Sequence, residues 1–167
     1  TLALHDAITI STVRRDDYHC DESRCSANEM IRDMVERVPG ADDETYLWAH
    51  PTNPLVRSET YDRAIAHFVV QNGPLCDSVM SVREEQRHAW WDGRPLNFNP
   101  KADRHPLASE LDSVRLQDGA IFIQTRAQFI DTSYFYGEKP YKGTIPWHEG
   151  WDVDDRNDYR VAVALCE

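Results

Sequence analysis

The sequence predicts an α/β fold, and two observations carry that prediction. Short runs rich in β-branched and aromatic residues alternate with amphipathic helical stretches, and a strand, helix, strand rhythm recurs at the spacing of βαβ units with right-handed crossovers. A third observation bears on function. Near the end of the chain, Trp147-His148-Glu149-Gly150-Trp151-Asp152-Val153-Asp154-Asp155 leads from a β-rich run directly into a predicted helix.

In chain order, Ala7-Ile8-Thr9-Ile10-Ser11-Thr12 has the β-branched content of a short strand. Polar residues follow to Arg24. Ser26-Ala27-Asn28-Glu29 is a capping box, with hydroxyl and carboxylate placed to satisfy free N–H groups of a helix's first turn. Met30, Ile31, Met34 and Val35 continue it as one apolar stripe, and Gly40 marks the turn after it. Thr45-Tyr46-Leu47-Trp48-Ala49-His50 is too brief for a helix and fits a buried strand of a parallel sheet. It closes in the loop Pro51-Thr52-Asn53-Pro54-Leu55. A second helix begins near Ser58, with Ala64, Ile65, Phe68 and Val69 on one face, and Asn72-Gly73-Pro74 stops it. Ser78-Val79-Met80-Ser81-Val82 is the next strand.

From Arg83 to about residue 116 the character changes. Charged residues, then Trp90-Trp91-Asp92-Gly93-Arg94-Pro95, then a polar segment through His105-Pro106 read as an insertion with its own hairpin or extended arm. Gly119-Ala120-Ile121-Phe122-Ile123-Gln124-Thr125 resumes the sheet, and Ala127 to Ile130 is a short helical turn. A last helix runs from Asp155 to Cys166, with Tyr159, Val163, Ala164 and Leu165 largely on one face.

A chain of 167 residues fits one domain with a real core. Twenty-nine acidic against 18 basic side chains give a formal net charge of −11, which argues against a nucleic-acid partner, since such a surface needs clustered Lys and Arg. No apolar run approaches the roughly 18 residues that cross a bilayer, and no charged start with an apolar core marks a signal peptide, so the expected setting is the cytoplasm without a membrane partner. Cys20, Cys25, Cys76 and Cys166 form no C-x-x-C pair and are too sparse for a disulfide scaffold. His19, Cys20 and Cys25 lack the usual zinc-ligand spacing.

Asp152 and Asp154 are two residues apart on extended backbone, so their side chains point the same way and can share one hard cation. Mg²⁺ prefers oxygen, keeps several waters and is typically held by one or two carboxylates plus substrate phosphates. The alternative is that the acidic run caps the following helix. Asp155 can be that cap, leaving the other two free.

Four segments then fall in order: Asp21-Glu22-Ser23 before the capped helix, His50-Pro51-Thr52-Asn53-Pro54-Leu55-Val56-Arg57 after a strand, Arg94-Pro95-Leu96-Asn97-Phe98-Asn99-Pro100 before Gln117-Asp118-Gly119-Ala120-Ile121-Phe122-Ile123, and Asp152-Val153-Asp154-Asp155 at the end. Together they resemble the acylneuraminate cytidylyltransferases, the CMP-sialic acid synthetase family. That family shows a Q-P-T-S-P-L-R loop, an N-G-A-I-Y-I strand and a terminal D-I-D segment. The resemblance implies a Rossmann-like nucleotidyltransferase fold, a three-layer sandwich with an inserted dimerisation arm. It implies transfer of CMP from CTP to a nine-carbon 2-keto sugar acid, with Mg²⁺ (or Mn²⁺) as cofactor and a homodimer as the assembly.

Residue by residue, Asp152 and Asp154 match the family's metal-binding pair. His50 stands where the family has a sugar-contacting Gln. Arg57 and Arg115 are candidates for the substrate carboxylate, which an Arg fork holds bidentately. Asp118 replaces the Asn before Gly-Ala, where a carboxylate facing an anionic sugar would repel it. Phe122 replaces the strand's Tyr. Phe135 and Tyr136, beside Tyr134, match an aromatic pair near the sugar pocket. The family's Gly-, Ser- and basic-rich triphosphate loop has no counterpart in this sequence, so the expectation is either a chain lacking its N-terminal nucleotide-binding loop or an incomplete relative that cannot hold CTP. Two other readings are a metal-dependent glycosyltransferase, in which such an Asp pair would more often sit mid-chain, and a non-catalytic sugar-binding or dimerising relative.

Overall fold

The computed structural model describes residues 11–166; four of the six residues of the strand expected over Ala7–Thr12 therefore lie outside the described residues. Mixed α/β architecture is what it shows, built on a four-stranded sheet of mixed parallel and antiparallel pairing. Helix α1 (Ala27–Arg37) precedes strand β1 (Thr45–Trp48), α2 (Ser58–Gln71) and β2 (Ser78–Glu85). A two-stranded hairpin follows, β3 (Trp90–Trp91) and β4 (Arg94–Pro95). The long strand β5 (Val114–Thr125), α3 (Arg126–Thr132), β6 (Pro140–Thr144) and α4 (Arg156–Cys166) complete the order.

The sheet runs β1-β5-β2-β6. β5 is antiparallel to both β1 and β2, and only β2 and β6 are parallel. The expectation that Thr45–His50 belongs to a parallel sheet is therefore corrected. Pairing direction is a property of the partner strand, and nothing within Thr45–Trp48 encodes that partner.

Each face of the sheet carries its own core. Along β5, Phe122 joins Ile31 and Val35 of α1, Met80 and Val82 of β2, and Phe129 of α3. Ile121 and Ile123, pointing the other way, meet Phe68 of α2, Val79 and Ile145. Alternation with period two thus sends neighbouring residues of one strand to opposite layers.

The capping box at Ser26 forms as read: Ser26 Oγ accepts from Glu29 N–H at 3.2 Å, while Glu29 accepts from Ser26 N–H at 2.8 Å. Two helix faces differ from the sequence expectation. On α2, Phe68 is buried but Val69 is 65% exposed, and Thr60 takes an interior place instead. On α4, Ala162 is buried while Tyr159 and Val163 are exposed. The face expected on α2 thus docks through Ala64, Ile65 and Phe68 with Val69 turned out, whereas the face expected on α4 is mostly exposed. The expected insertion is also shorter than 83–116 at each end, because β2 continues to Glu85 and β5 starts at Val114.

Candidate functional site

The site is built where β5 leaves the ladder. Met80 pairs with Phe122 and Val82 with Gln117, so Ser81 alone faces the four residues Asp118-Gly119-Ala120-Ile121. Extra residues must bulge out, and Gly119 takes the left-handed conformation this needs, with φ +79°. Ser81, fully interior, substitutes for the interrupted ladder. Its Oγ accepts from Ile121 N–H at 2.8 Å and donates to Asp118 Oδ1 in a short hydrogen bond. Asp118 Oδ1 also accepts from Ala120 N–H at 3.1 Å.

The loop after β1 folds over this bulge. His50 Nδ1 lies 2.7 Å from the Gly119 carbonyl, and Trp48 Nε1–H donates to His50 Nε2 at 3.2 Å. An indole only donates, so Nε2 must accept and Nδ1 carries the hydrogen given to Gly119. Asn53 is buried, and its Nδ2 donates to the Asp118 carbonyl at 3.2 Å. The C-terminal acidic segment is then tied to the same loop, Val153 N–H donating to Thr52 O at 2.8 Å. Buried Glu149 accepts from Arg57 N–H at 3.2 Å, a carboxylate set at the start of α2, where the helix dipole favours it.

These ties bring Asp118 and Asp152 to one cleft of about 240 Å³, lined also by Arg83, Gln117, Asp154 and Asp158. Gly150 forms part of its wall, and a side chain there would meet Asp118 Oδ2 at 2.8 Å. Asp155, as the alternative reading required, caps α4: its Oδ1 accepts from Asn157 and Asp158 N–H at 2.6 and 3.0 Å. These backbone bonds hold its carboxyl below the usual carboxylate range. Asp158 accepts in turn from the N–H groups of Asp154 and Asp155. Helix capping is thus done without the carboxylates of Asp152 and Asp154.

Burial pushes the Asp118 pKa up, opposed by the hydrogen bonds from Ser81 and from backbone N–H groups and by the charge of Arg83. One oxygen of each of two acids is left over: Asp118 Oδ2 and Asp152 Oδ1 are both buried without a hydrogen-bond partner, as is Asn53 Oδ1.

The other sequence candidates fall into three groups. His50, Phe122, Phe135 and Tyr136 do come together: the His50 ring stands edge-on to Phe122 and Phe135, at 5.9 and 5.3 Å, and Phe122 stacks on Phe135 at 4.7 Å. Phe122 is wholly buried, so it supports this cluster from below. Tyr136, whose pKa is raised by burial and by its hydrogen bond with Tyr134, packs beside it. Arg57 reaches the site through its backbone N–H. Arg115 does not join the cleft: it pairs with Glu84 at 2.9 Å and borders a separate depression with Lys139 and Lys142. His19 makes its closest polar contact with Asp16, at 2.7 Å, and all four cysteines are free.

Ser81, Asn53, Arg83 and Gly150 are the members that sequence reasoning missed. A Ser inside an apolar strand and a Gly two residues before the first Asp were the available signals. No protein-family model and no curated protein matches this chain. Among the described residues no helix is long and apolar enough to cross a membrane, and no group of three or more His, Cys, Asp or Glu side chains is arranged to hold a metal ion.

Proposed function

We propose that the protein is a cytidylyltransferase of the CMP-sugar synthetase kind, with a Rossmann-like nucleotidyltransferase fold, transferring CMP from CTP to a nonulosonic, sialic-acid-like 2-keto sugar acid with release of pyrophosphate. One observation carries the reading. Three segments that resemble the family, separated by some 60 and 30 residues of sequence, meet at one bulge: the loop at His50–Asn53, the strand at Asp118–Ile123 and the acidic run at Asp152–Asp154.

Asp152 and Asp154 would hold Mg²⁺ (or Mn²⁺). The donor set fits: Asp152 Oδ1 is a buried acceptor without a partner, Asp154 is exposed, and a two-carboxylate site suits an ion that keeps waters and takes phosphate oxygens. When bound, such an ion neutralises charge on the transferring phosphate and the pyrophosphate. The chain's own residues position the sugar so that its anomeric hydroxyl meets the α-phosphorus in line, the hydroxyl oxygen forming the new P–O bond and releasing its proton to solvent as the bond to pyrophosphate breaks. Arg83, whose nearest carboxylate is Glu85 at 3.9 Å, is better placed than Arg57 or Arg115 to take the sugar's carboxylate. His50 acts as a positioning residue, fixing the Gly119 turn.

Pyrophosphate release from CTP with a panel of nonulosonic acids and Mg²⁺ tests the reading. Asp154→Ala should lower turnover by on the order of 100-fold or more, the several kcal/mol that a catalytic metal supplies, with the melting temperature retained. Unchanged turnover in that variant would sink the metal assignment. The homodimer belongs to the same proposal. Trp90 and Trp91 on the hairpin are 56% and 73% exposed, and changing both to Ala should shift a dimer to monomer by sedimentation if the arm is the interface.

A further inference from the structure

The two oxygens of Asp118 are treated differently. Oδ1 receives the Ser81 hydroxyl and the Ala120 N–H. Oδ2 has no partner, in a residue only 7% exposed. A carboxylate oxygen removed from water without a donor costs free energy until a donor reaches it. The surroundings specify what kind of donor. The cleft gathers the carboxylates of Asp118, Asp152, Asp154 and Asp158 against a single guanidinium, Arg83. A hydroxyl would complete a hydrogen bond but bring no charge to this buried carboxylate, whereas an ammonium group brings both. The ion proposed on Asp152 and Asp154 does not account for Asp118, because among the described residues no group of three or more acidic or His/Cys side chains is arranged to hold one metal. An ammonium needs only one carboxylate. Gly150 leaves Oδ2 the room it occupies, since a Cβ there would lie 2.8 Å from it.

We propose that Asp118 Oδ2 receives a protonated amino group of the substrate, so that the sugar acid preferred here carries a free amine where its close analogues carry an N-acyl amide. The inference rests on the cytidylyltransferase reading for the identity of the sugar. It also reverses the expectation that a carboxylate at this position only repels: the part of the substrate facing Asp118 is cationic, and the sugar's own carboxylate lies toward Arg83.

The test is calorimetric binding, without divalent metal, of pairs of nine-carbon 2-keto sugar acids that differ only in whether one nitrogen is a primary amine or its acetamide. The pairs are compared on the whole chain and on its Asp118→Asn variant. The amine should bind on the order of tenfold more tightly to the unaltered protein, the scale of one charge-assisted hydrogen bond, and the preference should fall to near unity in Asp118→Asn. Equal or weaker binding of every amine, binding of neither sugar, or a preference that survives in a folded Asp118→Asn protein would each overturn the proposal. The comparison within the unaltered protein needs no variant to fold. Amine-selective binding without pyrophosphate release from CTP would leave the docking intact and remove the cytidylyltransferase reading. Turnover of acetamide and amine alike would do the opposite.

Discussion

His50 and Asp118 flank the same glycine and are both polar groups largely withdrawn from water, yet one is completely engaged and the other is not. His50 spends both ring nitrogens, on Trp48 and on the Gly119 carbonyl, and its ring packs in T-shaped contact with Phe122 and Phe135. Asp118 spends one oxygen and keeps the other. A side chain with all its hydrogen-bonding capacity used can hold a backbone in place but has little left to offer a ligand. One with a buried acceptor to spare is costly to the fold and is retained where something arrives to use it. The sequence reading places both at the sugar pocket; what separates them is the bonding capacity each has left.

The largest expected effect follows from removing what holds the Asp118 side together. Ser81→Ala deletes the acceptor for Ile121 N–H and a donor to Asp118 Oδ1, both in buried surroundings. Leaving such groups unpaired costs about 1–3 kcal/mol each, so Ser81→Ala should lower unfolding stability by several kcal/mol in a denaturant titration. A loss under about 0.5 kcal/mol, the scale of an ordinary surface change, would mean that the hydroxyl does not substitute for the broken ladder.

Pairing direction and the Ser81 role were unreadable in the sequence for the same reason. Ser81 in Ser78–Val82 looks like one polar position in a strand. Its partner is a bulge 37 residues away, and the bulge exists only because Met80 meets Phe122 while Val82 meets Gln117. Local features fared better: the Ser26 capping box, the helix ending at Asn72 and the cap at Asp155 are encoded within a few residues and form as read. β6 was missed because Pro140, Lys142 and Gly143 are poor strand formers. It lies at the sheet edge, where Pro and Lys are tolerated and discourage further pairing. The acidic cleft was legible in part, its two aspartates from their spacing. That Asp118 and Arg83 join them depends on chain crossings that no local pattern reports.

Asp118→Asn is expected to have a smaller effect, and one that depends on pH. In the folded protein burial raises the Asp118 pKa above its ordinary 3.8. Between the ordinary and the raised value the native state therefore binds more protons than the unfolded chain, and this group's contribution to stability falls as pH rises through that window. Asparagine has no proton to lose there. The difference in melting temperature, Asp118→Asn minus the unaltered protein, should accordingly grow more positive as pH is raised from below 3.8 through the raised pKa. A difference that stays flat with pH would show that the carboxylate is not desolvated.

The smallest effect is expected on the His50 side, and it sharpens the comparison because the substitution preserves the bonding pattern. A glutamine at this position can donate its amide N–H to the Gly119 carbonyl and accept the Trp48 indole N–H on its carbonyl oxygen, the same two bonds in the same directions. What it loses is the edge-on packing of a ring against Phe122 and Phe135, worth about 0.5–1.5 kcal/mol for an aromatic pair. His50→Gln should therefore cost about 1 kcal/mol of stability by denaturant titration and change sugar-acid binding by less than about twofold, well inside the 1.4 kcal/mol that a tenfold change would require. His50→Ala, which orphans the Gly119 carbonyl and the Trp48 N–H together, should cost distinctly more in both measurements. If His50→Gln instead abolishes binding while the fold is retained, the imidazole itself touches the ligand, and the division of labour between the two flanks of Gly119 fails.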